Sequence, residues 1–351
     1  MINQQDNISA SPSLTSNNNH QRPISTPDDR PTTVNIPSQI SQNSNRPVVA
    51  PISSQQHKDT KYIMVADIAS AKIFANIMHC ICSDKKKEDA WVICEIMEEG
   101  IKFYIQDKSI QGVASMKRDI FQNYIYNGAA HAKYSFEINV QILIQCLILY
   151  GANSSQGTIV KLCYPGVENT LSLLLGEERV VTDCNIKIRH GAEPLDFEFK
   201  GSEETCKIVL KSEVMTDALS EIDWLAKTME IGVEMDVQEQ GEDQVAITLP
   251  KGKLFFKTVD NVIGSMDIII PSTNEGVCSF EVNHTQMSVF KLSHIQQALK
   301  ALPHSDRVCI RMNEQGLLQW QFMVRATEPI TYVDYTMLPI DAELEDTDST
   351  F

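Results

Sequence analysis

A chain of 351 residues has room for two ordinary domains, each able to bury its own core. Forty-six acids against thirty bases give a net charge of −16, and the first sixty residues carry four of each sign, so the excess falls on the remainder. A surface that acidic repels nucleic acid and membranes on average, which confines any DNA contact to a local basic track.

The nine cysteines are odd in number and sit in apolar runs (Cys94, Cys146, Cys163, Cys309). That usage predicts reduced thiols of the cytosol or nucleus rather than a disulfide framework. No stretch reaches membrane-span length, and the polar N-terminus lacks a signal-peptide core. A soluble intracellular protein is expected.

In chain order, residues 1–60 are rich in Ser, Asn, Gln and Pro and nearly free of large apolar residues. Such a segment buries too little surface to offset its ordering cost and is expected to be disordered. It holds Ser-Gln dipeptides at Ser38, Ser41 and Ser54, the pattern that DNA-damage-responsive kinases favour. Order is expected from Lys61, with a strand in "YIMVADIA" and a helix over 70–82 capped by Ser70. "AWVICEIMEEGIKFYIQD" (90–107) alternates around Glu-Glu-Gly and reads as a hairpin. "SIQGVASMKRDIF" supplies a further strand before a helix at 139–150 with Asn139 at its cap. Three strands follow in "GTIVKLCYPG", "NTLSLLLGEE" and "RVVTDCNIKI". The Gly-, Pro- and acid-rich segment 189–204 has no helical period and reads as a connector. Order then restarts with strand "CKIVLKS" and a helix over 213–226. Strands follow in "IGVEMDV", "KLFFKTVDNV", "SMDIIIPS" and "VCSFEVN". A helix over 293–302 capped by Ser293, the hairpin "DRVCIRMNEQGLLQWQFMV" and a strand in "ITYVDYTML" complete the fold. Residues 341–351 form an acidic tail.

"FEINVQILIQCLILYG" (136–151) and "FKLSHIQQALKALP" (290–303) share an extended apolar lead-in, a capping oxygen and an apolar stripe. The helix pairs 73–82 with 214–223 and 139–150 with 293–302 lie about 141 and about 154 residues apart, and a period this long indicates tandem domains. The expected fold is α+β: domains at 61–188 and 205–340, joined by the 189–204 connector, with helices on one side of a crescent and antiparallel strands on the other.

The ordered series "EGIKFYIQDKSIQGVASMKRDIFQNY", "FEINVQILIQCLILYG", "RVVTDCNI", "LKSEVMTDALSEID" and "GLLQWQFMVR…ITYVDY" resembles the Rad-one family. Its members are subunits of the nine-one-one DNA-damage checkpoint sliding clamp, similar in fold to the proliferating-cell nuclear antigen. The resemblance spans roughly residues 62 to 340, and "SDKKKED" (83–89) and "QEQGEDQ" (238–244) look like insertions. It implies a non-catalytic subunit of a heterotrimeric, DNA-encircling ring with helices on the inner face and sheets on the outer face. Two related clamp subunits, a clamp loader, encircled duplex DNA, checkpoint kinase activators and repair enzymes are the implied partners, and the nucleus the implied location. It also places the ring interfaces at "RVVTDCNIKI" (179–188) and "SMDIIIP" (265–271), with Val181, Asp183, Asn185, Asp267 and Ile269 as interface candidates. Clamps of this fold recruit partners as short peptides against the connector. Here Leu195, Phe197 and Phe199 beside acids suggest an apolar pocket with a negative rim, suited to basic-aromatic peptides.

A ring holds DNA by topology and needs only weak phosphate attraction on its inner face. Lys72, Lys211, Lys227, Lys291 and Lys300, on or beside the four expected helices, are the DNA-facing candidates. Glu213, Asp217, Glu221 and Asp223 on the third helix would oppose them.

Catalytic readings fare poorly. Asp196 and Glu198 in "LDFEF" are spaced like the opening carboxylates of a Mg²⁺-dependent exonuclease, but no partner motif follows. "HCIC" (79–82) offers His79, Cys80 and Cys82 without the second ligand pair that zinc requires. Neither Gly-x-Ser-x-Gly nor Gly-x-x-x-x-Gly-Lys occurs. No enzyme, cofactor or metal is expected. Two alternatives make separate predictions. A homotrimeric replication clamp would run as a trimer alone, where the favoured reading predicts a monomer alone. A 3′-5′ exonuclease would lose its activity on Asp196→Ala.

Overall fold

The computed structural model describes residues 62–82, 89–150, 157–177, 180–191, 193–197, 199, 202–220, 222, 226–235, 252–260, 264–324 and 330–340. The Ser-Gln dipeptides, both presumed insertions apart from Asp89, and the acidic tail lie outside these residues. The first half runs β1 (Met64–Ile68), α1 (Ala71–Cys80), β2 (Trp91–Met97), β3 (Gly100–Asp107), β4 (Ile110–Lys117), β5 (Asn123–Tyr126) and β6 (Tyr134–Asn139). It ends with α2 (Val140–Leu147), β7 (Ile159–Tyr164), β8 (Thr170–Glu177) and β9 (Val180–Arg189). The second half runs β10 (Glu204–Lys211), α3 (Ser212–Ser220), β11 (Thr228–Met235), β12 (Gly252–Asp260), β13 (Gly264–Pro271), β14 (Val277–Val282) and β15 (Gln286–Lys291). It ends with α4 (Leu292–Leu299), β16 (Ser305–Asn313), β17 (Leu318–Val324) and β18 (Thr331–Met337).

The two halves match element for element. β1 pairs with β5 and β7 as β10 pairs with β14 and β16. β2 pairs with β3 and β6 as β11 pairs with β12 and β15. The remaining hairpins correspond in the same way. Every pairing is antiparallel. Helix starts lie 141 residues apart for α1 and α3 (71 to 212) and 152 for α2 and α4 (140 to 292). Among the described residues the fold is α+β, with large antiparallel sheets and four α-helices.

Local chemistry explains the elements. In α1 the apolar residues Phe74, Ala75, Ile77 and Met78 recur at helical spacing and are all buried, the stripe of an amphipathic helix. The turn between β2 and β3 ends on Gly100, whose φ of +141° suits a residue without a side chain. A Cβ there would also lie 2.2 Å from the Met116 carbonyl oxygen. In the second half Phe256, Trp320, Phe322 and Tyr335 stack edge-on at centroid spacings of 6.4, 6.2 and 6.3 Å. All four rings are fully buried, and such contacts add to the area term that drives collapse.

Four details differ from the sequence reading. Asn139 caps α2 as expected, its side chain accepting from Ile142 N at 3.0 Å. The N-cap of α4 is Lys291, however, and Ser293 sits inside the first turn, because the helix begins where the β15 lead-in ends. Ser70 occupies the N-cap of α1 without a capping side-chain bond. The helices are also shorter than their apolar periodicity suggests, and the segment before α2 contains β5 in addition to β4 and to the extended lead-in, which belongs to β6.

Candidate assembly edges and the helical face

The halves are joined by a strand pair that has no counterpart among the described residues. β4 and β18 run antiparallel in register from Ile110↔Met337 to Ser115↔Tyr332. This pair joins a sheet of each half and, with the short β6·β9 pairing, gives one sheet of fourteen strands, while β13, β12, β11 and β15 form a separate sheet of four. At its centre Tyr335 faces Gly112. A Cβ on Gly112 would lie 2.5 Å from the tyrosine ring, so the strand crossing depends on a bare backbone there. The Tyr335 hydroxyl donates to Cys80 O at 2.8 Å and accepts from Gln297 Nε2 at 3.3 Å. Gln297 Nε2 and Lys300 Nζ both donate to Cys82 O, at 3.1 and 3.0 Å. Two residues at the C-terminal end of α4 thus satisfy a carbonyl just past the end of α1. Asp334, largely buried beside this joint, accepts from Gln321 Nε2 at 2.8 Å. Burial raises its carboxyl above the ordinary value, since desolvation penalises the charged form.

The element equivalent to β4 is β13, and the element equivalent to β18 is β9. Among the described residues β13 pairs with β12 alone. β9 pairs along its length with β8 but meets β6 only at Ile188 and Arg189. Both strands therefore carry an open edge. Val181 is 63 % exposed and Ile269 is 53 % exposed, while Asp183, Asn185 and Asp267 are also exposed. Other sheet ends exist, but β5 and β14 are open alike in both halves. Among the described residues β13 and β9 lack the long pairing that joins their counterparts β4 and β18. β15, the other end of the four-stranded sheet, lacks only the two-residue pairing that β6 makes with β9 and receives Ile340 N on Val289 O in its place.

Beside the β9 edge, α2 and the two residues after it show solvent an uncharged surface that includes Ile142, Ile148 and Leu149. Tyr150, just past its end, hydrogen-bonds to Thr182 of β9 at 2.5 Å.

The lysines proposed for DNA separate by position. Lys211, Lys227 and Lys291 are exposed, and Lys72 and Lys300 are half-buried. Lys227 and Lys291 come together: Leu292 N donates to Lys227 O at 2.9 Å, and Thr228 pairs with Lys291. Lys211 faces exposed Arg307 across β10 and β16. Sequence reading passed over Arg307, although it opens a strand directly after the fourth helix. The cations thus cluster at strand ends near α3 and α4. Exposed Glu213 and Asp217 lie on α3 itself; Glu221 and Asp223 lie outside the described residues.

The connector is held by two glutamines that sequence reading also missed. Gln106 Oε1 accepts from Leu195 N at 2.9 Å, and Gln106 Nε2 donates to Glu193 O at 3.1 Å. Gln111 Nε2 donates to Leu195 O at 2.5 Å. Their polar side chains on otherwise apolar strands were the available signal. Leu195 is 46 % exposed and Phe197 half-buried; both line a groove of about 610 Å³ that also takes in Tyr104, Val113, Asp196 and Glu193. Phe199 is half-buried, with its N–H donating to Phe197 O at 2.8 Å. Asp196 is exposed and Glu198 lies outside the described residues.

In the "HCIC" segment, His79 stacks on His304 with centroids 5.8 Å apart, and the buried Cys80 thiol donates to Asn76 O. No group of three His, Cys, Asp or Glu side chains among the described residues is placed to hold a metal ion.

Residues 63–324 match the family model for the repair proteins Rad1/Rec1/Rad17. The chain belongs to this family. The mouse cell cycle checkpoint protein RAD1 is 30 % identical over 284 residues, covering 79 % of this chain and 92 % of that protein. The fission yeast DNA damage checkpoint control protein rad1 is 24 % identical over 302 residues, covering 80 % and 88 % respectively. Among solved structures, the PCNA2–PCNA3 complex of Sulfolobus tokodaii superposes with a TM-score of 0.58 at 15 % identity. The match covers 78 % of this chain and 98 % of that one, a likeness of fold. This Rad1-family chain is a DNA-damage checkpoint protein with the clamp fold.

Proposed function

We propose that this chain is the subunit of a heterotrimeric ring in which β9 and β13 each accept the edge of a different, related subunit. The observation that carries the reading is the internal β4·β18 joint, whose counterparts on β13 and β9 stand open. An edge of this kind is completed by strand addition, and unlike surfaces at the two ends make a head-to-tail contact that closes into a ring. Val181, Asp183 and Asn185 would lie on one interface, Asp267 and Ile269 on the other. The apolar surface of α2 would be covered together with β9, as α4 meets α1 inside the chain. Residues 61–188 and 205–340 would be the two clamp domains and 189–204 the connector. The ring would be opened by a loader in the nucleus, encircle duplex DNA without reading its sequence, and serve as a platform for checkpoint kinase activators and repair enzymes. Lys211, Lys227 and Lys291 are the better placed DNA-facing cations, with Lys72 and Lys300 secondary. The connector, through Leu195, Phe197 and Phe199, would receive partner peptides.

The test is co-expression with two related clamp chains. Wild-type chain should be monomeric alone and ring-forming in the mixture, as read by light scattering after gel filtration. Ile269→Pro and Val181→Asp should each abolish the ring while the isolated monomer still melts cooperatively. Normal ring yield from both variants would move the interfaces elsewhere, and a trimer of the wild-type chain alone would favour the replication-clamp reading.

A further inference from the structure

The repeat also supplies the register in which β9 and β13 would meet. Arg189 pairs with Glu137, and Ile340 N donates to Val289 O at 2.7 Å. Glu137 and Val289 each stand three residues before their helices, α2 and α4. Arg189 therefore corresponds to Ile340, and counting back, Asp183 corresponds to Asp334 and Val181 to Tyr332. For the other strand, Ile138 and Phe290 stand two residues before those helices and pair with Val92 and Met229. The ladder then runs through Phe103 and Phe256 to Ala114 and Ile268, so Val113 corresponds to Asp267.

Within the chain Asp334 faces Val113, a carboxylate against an uncharged side chain. If two copies of this chain joined β9 to β13 in the same register, Val181 would face Ile269, a good apolar match, and Asp183 would face Asp267. Side-chain orientation agrees with this register. Along β9 the residues at 182, 184 and 186 turn inward, and along β13 those at 266, 268 and 270 do, leaving 181, 183, 267 and 269 on one outer surface. Directly opposed like charges oppose strand pairing. The neighbouring groups do not remove the conflict. Asn185 already donates to Asp183 Oδ1 at 3.2 Å, and Leu174 is the uncharged partner of Asp183 on β8. Lys257 of β12 stands directly opposite Asp267 without forming an ion pair with it, so it offsets that charge only in part.

We infer that Asp183 and Asp267 are specificity residues that bar this chain from closing on itself and select its neighbours. The strand that joins β13 carries a basic or uncharged residue opposite Asp267, and the strand that joins β9 carries one opposite Asp183. An exposed apolar residue beside a mismatched charge attracts a related edge while rejecting the identical one. This rests on the strand-addition reading above, but its test needs no partner subunit.

The full chain is compared with Asp183→Lys, Asp267→Lys and the double variant by sedimentation velocity at low ionic strength. Each single variant places Lys opposite Asp and should self-associate about tenfold more tightly than the wild-type chain. The double variant restores like charges and should return to the wild-type monomer. Added salt should weaken association of the single variants. Neutral Asp267→Asn should fall between, and covers the case in which a lysine variant misfolds. Single variants that remain monomeric, a double variant that associates as they do, or a self-associating wild-type chain would each overturn the inference. Ring formation with related subunits is scored separately, so either idea can fail alone.

Discussion

Tyr335 concentrates the cost of joining the two halves in one side chain. It is fully buried, and its hydroxyl is bonded to a carbonyl 255 residues away in sequence. Tyr335→Phe leaves the ring in place but strands the Cys80 carbonyl, so stability should fall by about 1–3 kcal/mol. Gly112→Val should cost a similar amount or more by overpacking the same crossing. Urea denaturation of the isolated chain reads both, and unchanged midpoints would show that the joint does not depend on this contact. Alternation in "ITYVDYTML" already places Tyr335 on an inward face. Nothing in the spacing reveals its partner, because only tertiary structure brings Cys80 near. Ser293 shows the opposite hazard. Residue type suggested a cap there, whereas the end of β15 fixes the helix start at Leu292.

At the level of elements the repeat was readable, because two helix pairs at nearly one spacing survive any drift in side-chain identity. β5 was not, since its four residues, "NYIY", offer too few alternations to stand out from a loop, whereas the extended lead-in before the second helix is the end of β6. The sequence predicts the connector as irregular but gives no sign of its anchorage. Gln106 and Gln111 are ordinary strand residues until the fold brings Leu195 beside them. That anchorage fixes the backbone and leaves Leu195 and Phe197 with accessible side chains. Phe197→Ala should therefore lower stability by only about 1 kcal/mol while sharply reducing capture of basic-aromatic partner peptides, with ring formation unaffected. A thermal melt run beside a peptide pull-down decides the matter. Parallel losses in both would make Phe197 a packing residue and nothing more.

For the whole molecule, charge sets the expectation for DNA. A net charge of −16 stands against a small exposed set, Lys211, Lys227, Lys291 and Arg307. The isolated chain should bind duplex weakly, without sequence preference, losing affinity with salt at a slope of no more than about four contacts' worth. Lys227→Glu with Lys291→Glu should flatten that slope in fluorescence anisotropy. Submicromolar binding that ignores salt would contradict the expectation. The internal joint carries a different consequence. Its two strands belong to one polypeptide, and residues 190–203 between β9 and β10 tether the halves. Such a tether holds the edges at an effective concentration of about a millimolar or more, so dilution cannot part them. A ring built from this chain and related two-domain subunits would alternate seams governed by concentration with seams indifferent to it. At scarce cellular levels only the first kind comes apart. A machine prying the ring open would find each chain moving as one stiff link, its work confined to a single hinge between neighbours.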